Sequence, residues 1–318
     1  MTYFLIFILL LLLILGYFKL ADKFNIIDKP NERSSHSSIT IRGGGIVFTL
    51  AVIAWYALFG MQYSWFVGGL VLIAGISFLD DRFDLSRRLR ILMHVISVSL
   101  ILLQLNIFSF HWHYWILAYV LVIGWINAFN FMDGINGITV FYSTSILASY
   151  YLINLDIQFI DPDLIRVLLV GNLVFALFNV RKKAKTFAGD VGSVGMAYIL
   201  AFMMLLLMIQ TRSWEYILFF SVYGADSILT IIQRLIRGEN IFKAHRLHVY
   251  QVLANELAWP HVLVAVIYGI AQVTINLILI YSVNKLQISL IILMSLLVLF
   301  TTLKLVLPKL VLNKSDNK

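Results

Sequence analysis

At 318 residues, 61% hydrophobic and only 13% charged, with a mean hydropathy of +0.92, the chain is too apolar for a water-soluble domain and reads as a polytopic membrane protein. The absence of cysteine excludes disulfides, thiolate catalysis and cysteine-ligated metals. The net charge of +8 sorts by topology, as shown below, and lends no support to nucleic acid as a partner.

A helix needs roughly 20 apolar residues to cross ~30 Å of hydrocarbon. Eleven stretches approach that requirement: about 2–20, 45–61, 64–79, 91–107, 112–128, 137–154, 164–180, 192–210, 215–235, 261–283 and 287–307. The uncharged run 46–79 is too long for one span and is split at Gln62 to Ser64. The expected fold is all-α: a membrane helix bundle of about 11 transmembrane helices, forming a single domain over 1–318. The first span has no basic residue before it and no small-residue cleavage site after it, so it is expected to remain as an anchor with its start outside. That choice leaves only Arg166, Arg212 and Lys285 of the 24 lysines and arginines outside. It puts the N-terminus in the periplasm, the C-terminus in the cytoplasm, and the anionic inner leaflet among the partners.

Between the spans, the polar residues gather on the inside. Ser34 to His36, then Arg42-Gly43-Gly44-Gly45, open the second span as a loop that could wrap an anion or merely flex. Asp80-Asp81 closes the third span ahead of Arg82, Arg87, Arg88 and Arg90; the pair fits a cation-binding site, and equally a capped helix end with a basic loop behind it. Asn127, Asn130, Asp133 and Asn136 recur at a spacing of three, which would line one helix face with groups suited to a nucleotide or a metal. A helix end with glycine caps at Gly134 and Gly137 explains the same run. Lys182, Lys183 and Lys185 precede Thr186-Phe187-Ala188-Gly189-Asp190, where an acid at a helix start could meet phosphate through a metal or simply cap the helix. Asp226 stands inside a span, where an acid is costly and ordinarily functional or paired. His245-Arg246-Leu247-His248 suits a diphosphate pocket or a metal, and is also ordinary loop composition. On the outside, Asp156, Asp161 and Asp163 read as a solvated turn.

Taken in order, these blocks resemble the polyprenyl-phosphate N-acetylhexosamine-1-phosphate transferases, the bacterial glycosyltransferase family 4, with similarity from about Asp28 to Gln251. The resemblance implies transfer of a sugar 1-phosphate from a UDP-sugar to undecaprenyl phosphate with release of UMP, at the cytoplasmic face of the bacterial inner membrane. It implies Mg²⁺, for which Mn²⁺ could substitute, held by Asp190 with Asp80 and Asp81 nearby. Asp80, Asp81, Asp190, His245 and His248 take catalytic positions; Arg42, Arg88, Arg90, Asn130, Asp133, Phe187, Gly189 and Arg246 take substrate positions, with Phe187 stacking on uracil. The form His-Arg-x-His-x-Tyr-Gln is most similar to members that begin lipopolysaccharide O-antigen or another surface polysaccharide, and sugar choice is expected around Phe242 to Gln251. A homodimer is compatible with this reading. Two departures stand out: Ile39-Thr40-Ile41 replaces the family's Pro-Thr-Pro, and Asn136 replaces a second acid. A multi-pass transporter of an anionic or nucleotide-sugar substrate is the competing expectation, though the chain lacks the internal repeat such proteins usually carry.

Overall fold

A computed structural model describes residues 1–28, 39–83, 85–241 and 245–316. The loop segment Ser34 to His36 and the residue Phe242 lie outside them. The chain forms an all-α polytopic bundle: α1 (Thr2–Lys23), α2 (Ile46–Leu58), α3 (Ser64–Phe83), α4 (Arg87–Gln104), α5 (Trp112–Met132), α6 (Ile138–Ile157), α7 (Pro162–Asn179), α8 (Gly189–Thr211), α9 (Ser221–Ile236), the one-turn α10 (Val249–Gln251), α11 (His261–Tyr281) and α12 (Lys285–Asp316). Each of the eleven predicted stretches falls on a helix. Among the described residues, nine helical segments are long and apolar enough to cross a membrane. Helix α2 is shorter, at 13 residues, and α4 begins on three arginines.

Local chemistry sets the boundaries. The expected break in the long apolar run lies at Phe59 to Tyr63, where Gly60 has φ 101° and the chain reverses between α2 and α3. Ser86 caps α4 by accepting from the Leu89 N–H at 3.4 Å. Asp161 caps α7, with Pro162 in the first turn. Asp161 and Asp163 are therefore more than a solvated turn: Asp161 also accepts from Trp55 Nε1 at 2.7 Å, and Asp163 pairs with Arg166 at 2.7 Å.

Helix α8 is the axis of the bundle, packed by α2, α3, α5 and α6, and most of its side chains are buried. Helix α12 sits at the rim against α9 and α11 and leaves Leu290, Leu293, Met294 and Leu297 exposed, as a lipid-facing helix would. The ninth span starts as a 3₁₀ helix, Trp214–Phe220, before becoming α9. Changing helix type inside an apolar slab frees backbone groups that must find partners. Gln272 of α11 supplies them, accepting from the Val222 N–H at 3.0 Å and donating to the Leu218 carbonyl at 2.9 Å.

Two short strands, β1 (Ile27–Asp28) and β2 (Thr40–Ile41), pair antiparallel, an element absent from the all-α expectation. Ile41 also bridges Thr186 in parallel. This ladder, built where Ile39-Thr40-Ile41 departs from Pro-Thr-Pro, lays the Arg42–Gly45 segment against the start of α8.

Candidate active site

The first layer is backbone against backbone. Gly44 N–H donates to the Phe187 carbonyl at 2.9 Å and Gly45 N–H to the Ala188 carbonyl at 3.1 Å. A Cβ on Gly45 would lie 2.4 Å from the Gly192 Cα, so glycine alone lets α2 and α8 start this close together. The consequence is that Arg42 enters the first turn of α8.

There the guanidinium joins two acids. Arg42 Nε lies 2.7 Å from Asp81 Oδ1, and Nη2 lies 3.3 Å from Asp190 Oδ1. The Tyr17 hydroxyl steadies this residue by donating to the Arg42 carbonyl at 2.6 Å. Burial opposes the Arg42 charge, but Asp81, Asp190 and Asp28 outweigh it and raise the guanidinium's pKa further, so the group stays cationic. Asp81, whose side chain is fully buried, also accepts from the Asp190 N–H at 3.2 Å and the Val191 N–H at 3.4 Å. A carboxylate on the free N–H groups of a helix start is a cap, here supplied from another helix. Asp80 is engaged as well, taking the Leu85 N–H at 2.7 Å and Arg90 Nη1 at 2.9 Å. Asp190 Oδ2, by contrast, has no hydrogen-bond partner among the described residues, and its side chain keeps 23% exposure. Arg88 is exposed on the first turn of α4.

The run from Asn127 needs a correction. Helix α5 ends at Met132, so the four polar residues do not share one helix face. Asn127 bonds the Ile123 carbonyl of its own helix at 2.7 Å. Asn130 turns to the start of α8 and accepts from Ser193 Oγ at 2.6 Å. Asp133 lies past the helix end and accepts from Thr139 Oγ1. Burial pushes its carboxyl up to about 6; the Thr139 hydroxyl and Arg42 pull the other way, while Asp190 adds to the rise. Asn136 donates to the Arg181 carbonyl at 2.9 Å and to the Lys182 carbonyl at 3.4 Å. An acid could not make those bonds, so the asparagine binds one loop to the next. Phe187 is half-buried, and its N–H bonds the Ile41 carbonyl at 2.9 Å. Gly189, at φ 68°, abuts Asp81 and leaves no room for a side chain.

The histidine segment approaches from the other side. Tyr250 OH donates to the Phe131 carbonyl at 2.8 Å, and Gly134 packs against that hydroxyl, fastening this segment to the end of α5. His248 is buried, with its ring 4.9 Å from that of the partly exposed His245. Burial first, then His248 and Arg234, press the His245 imidazole down to about 4, so it is neutral at physiological pH. Arg246 is likewise partly exposed. Asp226, whose partner local spacing does not reveal, contacts His248, Thr230, Tyr268 and Lys304. Arg234, two turns away, pairs with Glu239 instead.

The polar clusters thus occupy one end of the bundle, with Arg42, Asp81, Asp190, Asn130 and Asp133 drawn to the first turn of α8. Sequence reasoning missed Tyr17 and Lys304, and gave no role to Ser193 or to Tyr250, the tyrosine of the His-Arg-x-His-x-Tyr-Gln pattern. Lys304 left a readable trace, as a cation near the end of the last apolar run. Among the described residues no three His, Asp or Glu side chains gather as a ready-made metal cage. Asp190 Oδ2, without a hydrogen-bond partner among the described residues, nonetheless fits Mg²⁺, which commonly takes one or two carboxylates and fills its shell with water and substrate phosphate. Asp81 already takes three donors, two on Oδ1 and a long one on Oδ2, so a metal would share it with Arg42 and the start of α8. Beside the cluster, α5, α8, α9 and α12 enclose an apolar groove of about 680 Å³ lined by residues such as Val120, Phe131, Met208, Ile228 and Leu293.

Residues 63–208 match the family described as "Glycosyl transferase family 4". A Bacillus subtilis (strain 168) protein, "Probable undecaprenyl-phosphate N-acetylglucosaminyl 1-phosphate transferase", is 24% identical over 256 residues, covering 74% of this chain and 71% of its own. The "Undecaprenyl-phosphate alpha-N-acetylglucosaminyl 1-phosphate transferase" of Escherichia coli O157:H7 is 24% identical over 269 residues, with the same coverage. A "Phospho-N-acetylmuramoyl-pentapeptide-transferase" of Streptococcus suis (strain 05ZYH33) is 26% identical over 243 residues, covering 64% of this chain and 72% of its own.

Proposed function

We propose that the chain, whose residues 63–208 match glycosyl transferase family 4, is a membrane transferase of that family and moves an N-acetylhexosamine 1-phosphate from a UDP-sugar to undecaprenyl phosphate, releasing UMP. The observation that carries this reading is the convergence of Arg42, Asp80, Asp81, Asp190, Asn130 and Asp133 at one bundle end beside an apolar groove. Such a place can meet a lipid tail and two phosphorylated groups together. We place the site on the cytoplasmic face of a bacterial inner membrane, with all eleven predicted spans crossing and the N-terminus outside, because the lysines and arginines then sort inward. The product would initiate a surface polysaccharide of the O-antigen kind, a proposal that leans on the histidine-segment pattern and on the N-acetylglucosaminyl relatives.

In this proposal an ionised lipid-phosphate oxygen attacks the sugar-bearing phosphorus in line, the bridging P–O bond breaks, and UMP departs with the electron pair. Phosphate's second pKa near 6 means a strong base is unnecessary at neutral pH. Mg²⁺ on Asp190 would neutralise diphosphate charge. Arg42 stays cationic and aimed at the same volume, Asn130 and Asp133 offer hydrogen bonds to the nucleotide, and His245 offers a neutral imidazole to the diphosphate or sugar. Positioning and charge compensation then supply most of the rate. The transporter alternative loses its main support, since the intramembrane acid Asp226 is engaged by protein groups on several sides.

The direct test incubates purified protein with undecaprenyl phosphate and a panel of UDP-N-acetylhexosamines, with Mg²⁺ or EDTA, and follows UMP. Lipid-dependent, metal-dependent UMP is the expected result; silence across the panel from folded protein rejects the reading. Phe187→Ala should raise the KM for UDP-sugar about tenfold and lower kcat far less, because stacking of about 1–3 kcal/mol is made in ground and transition states alike. A loss confined to kcat would remove Phe187 from the uracil site.

A further inference from the structure

Lys304 is a cation two turns before the end of the described side chains of α12, and its side chain is 9% exposed. Burying an ammonium group is costly unless its donors are answered. Here they are: Nζ lies 2.6 Å from Thr230 Oγ1, 3.1 Å from the Leu247 carbonyl and 3.4 Å from Asp226 Oδ1. The acid is used as fully. Asp226 accepts from the Val249 N–H at 3.0 Å and from the Tyr268 hydroxyl at 2.8 Å, and its Oδ1 lies 3.6 Å from His248 Nδ1.

The arrangement has a specific geometric effect. Leu247 and Val249 flank His248, so the lysine holds the carbonyl before it and the aspartate holds the N–H after it. Both backbone groups beside this histidine are therefore gripped from membrane helices, α12 on one side and α9 on the other. On its far end the same segment is tied to α5 through Tyr250 and the Phe131 carbonyl. We infer that Lys304 is a positioning residue: together with Asp226 it fixes the His245–His248 segment against the Asp133 end of the site. The inference rests on the transferase reading for its kinetic consequence, and on geometry alone for the anchoring. Its sequence position, far outside the matched region 63–208, means the family resemblance does not assign it.

The test compares full-length wild type, Lys304→Met, Asp226→Asn and the double variant in detergent micelles. Two readouts are taken: UMP release, and mass-spectrometric mapping of histidine modification by diethylpyrocarbonate. Lys304→Met keeps the apolar stem and removes the donors. It should lower kcat about tenfold or more, since a displacement near 1 Å can cost that much, while KM for UDP-sugar stays within about twofold. Labelling of His245 and His248 should rise severalfold, with His111 and His113 at the other end of α5's span unchanged. The double variant should be no worse than the poorer single one, because the two groups act as a unit. Equal turnover and equal labelling in Lys304→Met would overturn the inference, and so would a uniform rise at every histidine, which reports general loosening. Wild type that makes no UMP with any donor sinks the transferase reading separately, and labelling then decides the anchoring by itself.

Discussion

Asp190→Asn should reduce UMP release by about 10³-fold or more while leaving thermal stability within a degree or two of wild type, because the charge lost is the one that would compensate diphosphate. The fold has reason to survive. Arg42 keeps its 2.7 Å contact with Asp81, the amide is isosteric with the carboxyl, and Asp190 Oδ2 carries no hydrogen bond among the described residues that the change would strand. Asp81→Asn is the informative companion. Its carboxylate is fully buried, pairs with Arg42 and caps α8 through two N–H groups, so losing its charge should lower both stability and turnover. Unfolding monitored in detergent alongside UMP release separates the two. If Asp190→Asn retained more than a tenth of wild-type activity, Asp190 would not be the metal ligand. If Asp81→Asn were inactive yet as stable as wild type, the capping role assigned to Asp81 would be wrong.

The contrast between these neighbouring roles also shows where sequence reading stops. Apolar run length fixes helices well in a membrane chain, because hydrocarbon demands both the length and the apolarity; hence the eleven helical stretches, with the break expected at Gln62 to Ser64 found at Phe59 to Tyr63. That the polar clusters share one end follows from alternating spans and was equally legible. Partners were not. Asp80 and Asp81 are adjacent in the chain, yet one holds the loop leading into α4 and the other caps a helix 109 positions away. The spacing of three from Asn127 to Asn136 suggested a common face, but it continues past the point where α5 stops and the chain turns through Gly134 and Gly137. Asp226 finds Lys304 across the bundle, a pairing set by how α9 and α12 pack and by nothing local.

Gly192→Ala should be a damaging single methyl: folded yield should fall, and the surviving protein should lose about 100-fold in UMP release. The added Cβ would sit 2.5 Å from the Gly45 Cα and 3.0 Å from the Ala188 Cβ. Backbone cannot swing aside like the tip of a long side chain, so α2 must move away from α8. Overpacking of this kind costs about 1–3 kcal/mol. The movement carries Arg42 with it, because the Arg42–Gly45 segment is hydrogen-bonded along Phe187 and Ala188 at the start of the same helix. A shift near 1 Å between Arg42 and Asp190 accounts for the kinetic loss. Gly195→Ala, one turn further along α8, is the matched control: its Cβ would meet nothing closer than Thr49 Oγ1 at 3.4 Å, and the variant should behave nearly as wild type. Stability and UMP release of the two variants, measured side by side, decide the matter. Equal behaviour would mean that the α2–α8 contact does not set the distance between Arg42 and Asp190, and the site would have to be held from the Asp81 side alone.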